Sequence, residues 1–411
     1  MKNSFWKLSP CFLAIIVDVM GFGLVYPMMT ALFAGDSTLM VSADTPMHLR
    51  DFYLGLGYLL YPLFMFFGGA FLGDLSDIYG RKGTLIWCMG GLVIGFGLMG
   101  FGIMVRSIWV LMAGRALTGL MAGSQPVALA AVADMSTPET KARNMSLMSF
   151  IISMGVVIGP LIGGVFSDPR IFSKFTVKTP FYVAAILSVV AGIWIYFGLR
   201  ETHQRLKGNK IDFFRPLKLF VEAFAHRGVR LMAVVFLMLQ MSFGLYFQLS
   251  SYILKTQFGY GSGPMGLFTA YLGIWFAIAL LLLYPLFDKR LKIETICGFS
   301  YILTGIGLFL TAIAPNDKLI WVFAIIAAGA DIIAYSSSIT IFSNCADDSK
   351  QGWVMGIFAS TIAVAWVISG ALVNLLPEFG ADGLLMIGTA LSIIAGILVM
   401  SLRSHFHFQS E

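Results

Sequence analysis

The feature that most constrains this chain is a recurrence of apolar runs about 20 residues long, enough for a helix to cross a hydrocarbon core about 30 Å thick. The runs fall at 11–33, 53–72, 84–105, 108–133, 145–167 and 180–199, then at 230–254, 264–286, 294–314, 320–343, 353–376 and 383–402. Backbone polar groups in lipid must satisfy one another, so runs of this length mean helices. A spanning barrel would instead show short strands of alternating polarity. Only 12% of the 411 residues are charged and 58% are hydrophobic, whereas soluble proteins carry roughly a quarter charged residues. The expected fold is an all-α membrane protein with twelve transmembrane helices.

Charge sets the orientation. With both termini inside, 19 Lys and Arg fall in inside segments and seven in outside ones: Arg50, Arg106, Arg170, Lys174, Lys178, Lys255 and Lys318. The remaining cation, Arg115, lies within a span. That bias predicts N-in, C-in topology and accounts for the net charge of +6 without nucleic acid. Met1–Pro10 is short and the first run exceeds a signal-peptide core, so no cleavage is expected. Four cysteines (Cys11, Cys88, Cys297, Cys345) show neither a pairing pattern nor metal-ligand spacing.

The longest polar stretch, 200–230, separates six runs from six. It predicts an N-terminal half at 1–199, a cytoplasmic linker at 200–230 and a C-terminal half at 231–411. A faint repeat supports this: Asp77 with Arg81-Lys82 after the second run is echoed by Asp288-Lys289-Arg290 after the eighth. Paired six-helix halves with a midplane binding site between them are a known transporter plan. Glycine is frequent inside the runs, as in Gly90, Gly91, Gly95, Gly97, Gly100 and Gly102. In lipid, small residues let helix backbones approach closely.

Three motifs stand out. The loop after the second run reads Gly73-Asp-Leu-Ser-Asp77-Ile-Tyr-Gly80-Arg81-Lys82, the fourth run carries Arg115 in Met112-Ala-Gly-Arg115-Ala-Leu-Thr-Gly119, and the fifth carries Gly155-Val-Val-Ile-Gly159-Pro160-Leu-Ile-Gly163-Gly164. Pro160 removes a backbone hydrogen bond from a helix that its glycines already loosen.

In their order, these motifs resemble the loop signature, fourth-helix arginine motif and antiporter motif of the major facilitator superfamily. The opening Asp18-Val-Met-Gly-Phe-Gly-Leu-Val-Tyr-Pro27, and Ala133-Asp134 followed by Glu139 and Ala142-Arg143, are similar to the tetracycline/proton antiporters. The resemblance implies two six-helix halves and a proton-coupled exporter of drug/proton antiporter type, with helices one, four, seven and ten lining a central cavity. The chain also departs from that pattern. Ile78 stands where the family usually has a cation, 84–105 and 295–314 hold no Asp or Glu, and Asp331 is an addition in the tenth run. The implied fold therefore carries over, while tetracycline as substrate does not.

Three strongly ionisable side chains fall deep within runs: Asp18, Arg115 and Asp331. A charge there costs at least about 2.5–3.5 kcal/mol on insertion scales, so such groups face partners or aqueous cavities. Desolvation favours a neutral carboxyl and a nearby cation favours the ionised one, so Asp18 is expected to take up and release a proton. Its alternatives are a static pair with Arg115 and recognition of a cationic substrate. Tyr335 and Ser338 share a helical face with Asp331, within about 40°. That face reads as a substrate or second proton site, or as a buried Asp satisfied by hydroxyls. Gln125, Gln240, Tyr246 and Gln248 read as cavity groups or interhelical hydrogen bonds. Tyr26, Trp275 and Trp366 read as stacking platforms, packing or interfacial anchors.

Asp74, Asp77, Arg81 and Asp134 are expected to form a cytoplasmic charge cluster that gates the motion. Asp347-Asp348 reads as a solvated loop, and His405 and His407 as isolated. No nucleophile triad, phosphate loop or nucleotide-binding domain occurs outside the runs, so no enzyme, no cofactor and no direct ATP drive are expected. The leading expectation is proton-coupled export of a small amphipathic drug or metabolite from a bacterial inner membrane, by a monomer embedded in lipid. The alternatives are a proton-coupled importer of a nutrient or siderophore-like carboxylate gripped by Arg115, and a membrane sensor without flux.

Overall fold

The computed structural model describes residues 2–202, 212–225, 227–344 and 351–401; Asp347, Asp348, His405 and His407 lie outside them. Every regular element among the described residues is helical. Eleven helical stretches are long and apolar enough to cross a membrane, and the last, Trp353–Ser401, has 49 residues and holds two spans. α14 (Gln351–Leu372) passes through a 3-10 turn into α15 (Leu376–Ser401). The bend is at Gly380, whose φ of 66° and ψ of 169° suit a residue without Cβ. Twelve spans result, as the apolar runs predict.

The departures from the expected runs have local causes. α2 (Met47–Tyr79) starts well before residue 53, because Pro46 opens it: the amides of Leu49 and Arg50 both donate to the Pro46 carbonyl. Arg50 and Asp51, placed by the sequence reading outside the spans, are therefore helical and buried. The fourth span is two helices, α4 (Ile108–Met121) and α5 (Ser124–Asp134), with Pro126 in the first turn of α5 unable to continue the ladder from α4. The eighth comprises α10 (Ser262–Ile278), a π turn at Ala279–Leu283 and α11 (Tyr284–Asp288). The turn lies just ahead of Pro285, which lacks the N–H a regular turn would use.

The remaining helices are α1 (Lys2–Phe33), α3 (Arg81–Met104), α6 (Pro138–Ser167), α7 (Thr179–Gly198), α8 (Arg215–Ala225), α9 (Arg227–Thr256), α12 (Ile293–Ala312) and α13 (Asp317–Asn344). They cluster into two compact units. Unit 1 contains Met1–Thr45, Leu60–Phe213 and Tyr260–Ala270; unit 2 contains Pro46–Leu59, Phe214–Gly259 and Tyr271–Glu411. The division passes through α2 and α10. In unit 1, α1 packs on α6 and α7, and α3 on α4 and α7. In unit 2, α12 packs on α13 and α15, and α9 on α14 and α15. The α3 glycines divide by role. Gly95 meets Thr118 and Gly102 meets Leu111 on α4, whereas Gly90 and Gly97 face open space.

Candidate functional site

In unit 1, α1 carries Asp18, only 3% exposed. Its Oδ2 accepts a hydrogen bond from the Ser124 hydroxyl at 2.6 Å. Ser124 is available because the break between α4 and α5 puts it at a helix start, beside Gly123, where a Cβ would meet the Gly68 carbonyl carbon on α2 at 2.6 Å. The Gln125 backbone N–H and the Tyr61 hydroxyl also point at this carboxyl. Asp18 therefore has donors from two helices, α2 and α5, around it, and it forms no ion pair with Arg115. The static Asp18–Arg115 pair weighed in the sequence is not what the structure holds.

Arg115, on α4, is fully buried. Its guanidinium carbon lies 4.5 Å from the Tyr61 ring centroid and 5.4 Å from that of Tyr26. Phe22 packs edge-on to Tyr26 at 4.9 Å and tilted to Tyr61 at 5.5 Å. Aromatic faces thus stabilise a buried cation through their quadrupoles. Tyr26 stacks on a protein cation, not in an empty recess. Sequence reading missed Tyr61, Phe22 and Ser124. Tyr61 sits on α2, whose outer residues carried no motif, and nothing in the sequence says which helix faces it.

The glycine motif of α6 lies against the helix that carries Asp18. A Cβ on Gly155 would meet Val19 at 2.8 Å, one on Gly159 would meet the Leu24 amide at 3.1 Å, and one on Gly163 the Leu24 carbonyl at 3.1 Å. Pro160 packs at 2.8 Å from the Cβ position of Gly23, and a Cβ on Gly164 would meet the Gly263 carbonyl at 2.8 Å. The motif is a contact surface for α1 and for the Tyr260–Ala270 segment of unit 1.

The loop signature forms the expected ion cluster in part. Arg81 pairs with Asp77 at 2.6 Å and with Asp134 at 3.4 Å, and also donates to Ser76. Asp74 turns elsewhere, accepting from the Asp212 amide at 3.0 Å. Gly80 has φ 100°, a left-handed turn that exposes the α3 amides. Glu201 accepts there from the Arg81 and Lys82 amides at 2.8 and 3.3 Å, capping the positive helix end. Glu201 was not singled out in the sequence, since it lies 120 residues away. Gly73 faces open space.

In unit 2, α13 carries Asp331, 4% exposed. Among the described residues its Oδ1 has no hydrogen-bond partner and no ion pair forms. The Tyr301 and Tyr335 phenols are close enough to interact electrostatically, but Ser338 is engaged elsewhere. Its hydroxyl donates to the Ala334 carbonyl at 2.7 Å, sits 3.0 Å from the Tyr301 hydroxyl and 3.6 Å from Cys297 Sγ. Tyr335 packs on Phe236 and Phe358 at 6.0 and 5.4 Å. Gln248 donates to Ser369 on α14 at 3.2 Å, an interhelical tie. Gln240 and Tyr246 are buried on α9, and Gln125 is half-buried on α5. Trp366 packs edge-on to Phe247 at 5.7 Å and Trp275 edge-on to Tyr271 at 6.1 Å. A buried link missing from the sequence reading joins Tyr252 to Asp51 at 3.4 Å.

Twelve apolar spans carrying buried ionisable groups define a multi-pass membrane protein. The chain belongs to the Major Facilitator Superfamily, which it matches over residues 11–370. It is 26% identical over 390 residues to the class C tetracycline resistance protein of Escherichia coli, covering 92% of this chain and 93% of that one. It is likewise 26% identical over 401 residues to the quinolone resistance protein NorA of Staphylococcus aureus, covering 95% of each. Solved structures share the fold. A POT family transporter superposes with TM-score 0.76 at 13% identity, covering 97% of this chain and 98% of its own. The D-xylose-proton symporter gives 0.74 at 13%, covering 96% and 97%.

Proposed function

We propose that this chain exports a small, partly apolar molecule from the cytoplasm of a bacterium in exchange for protons, with Asp18 as the proton carrier. The observation that carries the proposal is the Asp18 carboxyl, buried in a membrane helix, lacking a cationic partner and ringed by Ser124, Tyr61 and the Gln125 amide. The ionised carboxyl accepts from Ser124 at Oδ2, with Tyr61 and the Gln125 amide close by. Protonation adds a donor to the carboxyl and weakens its acceptance from Ser124, which shifts the balance of contacts among α1, α2 and α5. Proton binding thereby favours a different arrangement of the helices, and exchange needs only that substrate and proton prefer different states. Arg115, held between Tyr26 and Tyr61, supplies positive potential without neutralising Asp18 outright. The glycine surface of α6 gives α1 a smooth partner for that rearrangement, and the Asp77–Arg81–Asp134 cluster is the gate at the other end of unit 1. Similarity to two drug-resistance proteins supports export over nutrient or siderophore uptake and over sensing without flux. Asp331 is a second protonation site on the same reading, and the chain acts as a monomer in the inner membrane.

The test uses purified protein in liposomes with an internal pH dye and an imposed gradient. Lipophilic cations, antibiotics and iron-chelating carboxylates are added one at a time, with Asp18→Asn beside the wild type. A compound that collapses the gradient only in wild type supports the reading, and its direction of movement separates export from uptake. A compound carried equally by both proteins overturns the role of Asp18.

A further inference from the structure

The outer end of α2 carries a buried carboxyl that the exchange reading does not use. Asp51 lies in the second turn of that helix, on the side opposite the Lys and Arg bias, yet it is only 2% exposed. The Tyr252 hydroxyl of α9, itself buried, donates to its Oδ1 at 3.4 Å. Further along, α2 is pressed on α14. A Cβ on Gly55 would meet the Gly370 carbonyl at 3.2 Å, and one on Gly370 would meet Leu59 Cα at 3.0 Å. Pro46–Leu59 accordingly belongs to unit 2, although the helix continues from Leu60 as part of unit 1.

The glycine contacts are indifferent to pH, whereas the Asp51–Tyr252 tie is not. A hydrogen bond to an ionised acceptor is roughly twice as strong as one between neutral groups, so a proton on Asp51 weakens what Tyr252 holds. Tyr252 and the exposed His48, three residues earlier on α2, are the titratable groups whose fields reach the carboxyl. The other charges at this end are the buried Arg50, next in sequence, Lys255 in the last turn of α9, and Glu378 and Asp382 on α15. Asp382 accepts from Gln257 at 3.5 Å. A charged His48 favours the ionised carboxyl, so it sets how acid the outside must be before Asp51 is neutralised. We propose that Asp51 is a proton site of the outer face, and that a proton bound there releases Tyr252 and frees the outer turns of α2 from α9. Arriving protons then loosen the end of the chain at which they arrive. That use of the proton rests on the exchange reading; the tie itself does not.

The test follows the tie in the full chain, in lipid nanodiscs and without a transport substrate. With Cys345→Ser removing one thiol and the described cysteines buried, spin labels are attached at Met47→Cys and Thr256→Cys, both exposed. Their separation is measured by pulsed electron resonance in mildly alkaline and mildly acidic buffer. Acid should raise the population of a longer distance several-fold in the otherwise unaltered chain. Asp51→Asn and Tyr252→Phe should show the longer distance in both buffers, while Asp51→Glu keeps the response and guards against variants that merely misfold. An unchanged distance across the two buffers overturns the proposal. So does a full acid response in Asp51→Asn, or its loss in His48→Gln with the short distance retained, since another group would then carry it. Failure here leaves substrate–proton exchange in liposomes untouched, and failure of exchange there leaves this result standing.

Discussion

Asp18 in unit 1 and Asp331 in unit 2 are both buried in membrane helices, and among the described residues the Oδ1 of each lacks a hydrogen-bond partner, yet their surroundings differ. Asp18 is met by a serine hydroxyl at 2.6 Å, a nearby tyrosine and amide, and a cation caged by rings one helix away. Asp331 has hydroxyls within reach of its field, yet Ser338 and Tyr301 bond to each other and leave its Oδ1 without a partner. A buried carboxylate needs donors to stay ionised. Unit 1 gives its carboxyl a hydroxyl partner at Oδ2, while among the described residues unit 2 gives Asp331 Oδ1 none.

The largest break in this comparison is expected from Asp18→Asn. An amide keeps the Ser124 contact but cannot take up a proton, so substrate-driven pH change should fall to background while substrate still binds. Asp331→Asn should do less: exchange persists, with fewer protons moved per substrate, and parallel substrate and pH-dye traces read that ratio. Because no ion pair is broken, folding stability should change by no more than about 1 kcal/mol. Equal loss of exchange in both variants would erase the distinction between the units.

Arg115→Lys keeps the charge and removes the planar group stacked on Tyr61 and Tyr26. A desolvated cation–π contact is worth about 2 kcal/mol or more, and an ammonium does not replace a stacked guanidinium. Thermal unfolding in detergent should register a loss of that order. No loss would mean that the rings hold the helices without the cation.

These surroundings were only partly legible in the sequence. Length alone reveals the spans, because the bilayer fixes how many apolar residues a helix needs. Asp18, Arg115 and Asp331 stand out because a charge within such a run is costly. What surrounds them does not: Ser124 reaches Asp18 across 106 positions, and which tyrosine faces Arg115 depends on helix rotation, which spacing fixes loosely. Ser338 shares a helical face with Asp331 by count, yet its hydroxyl turns to the Ala334 carbonyl. α8 escaped notice because it is too short to span, although Pro216, Leu219 and Ala223 repeat at helical spacing.

The finest test pairs two serine deletions. Ser124→Ala removes a donor that stabilises the ionised Asp18, favouring the protonated carboxyl. Hydrogen bonds to charged groups contribute about 1.5–3 kcal/mol, so the pH profile of exchange should move alkaline by about one to two pH units. Ser338→Ala breaks a contact with Tyr301 and Cys297 that Asp331 does not share. It should cost about 1 kcal/mol of stability and leave the pH profile where it was. Measuring exchange against external pH for both variants distinguishes the cases directly. If Ser338→Ala moves the profile as far as Ser124→Ala, the hydroxyl pair does reach Asp331 during transport. The carboxylates would then differ in the resting state alone, and unit 2 would acquire its donors by turning Ser338 away from the Ala334 carbonyl.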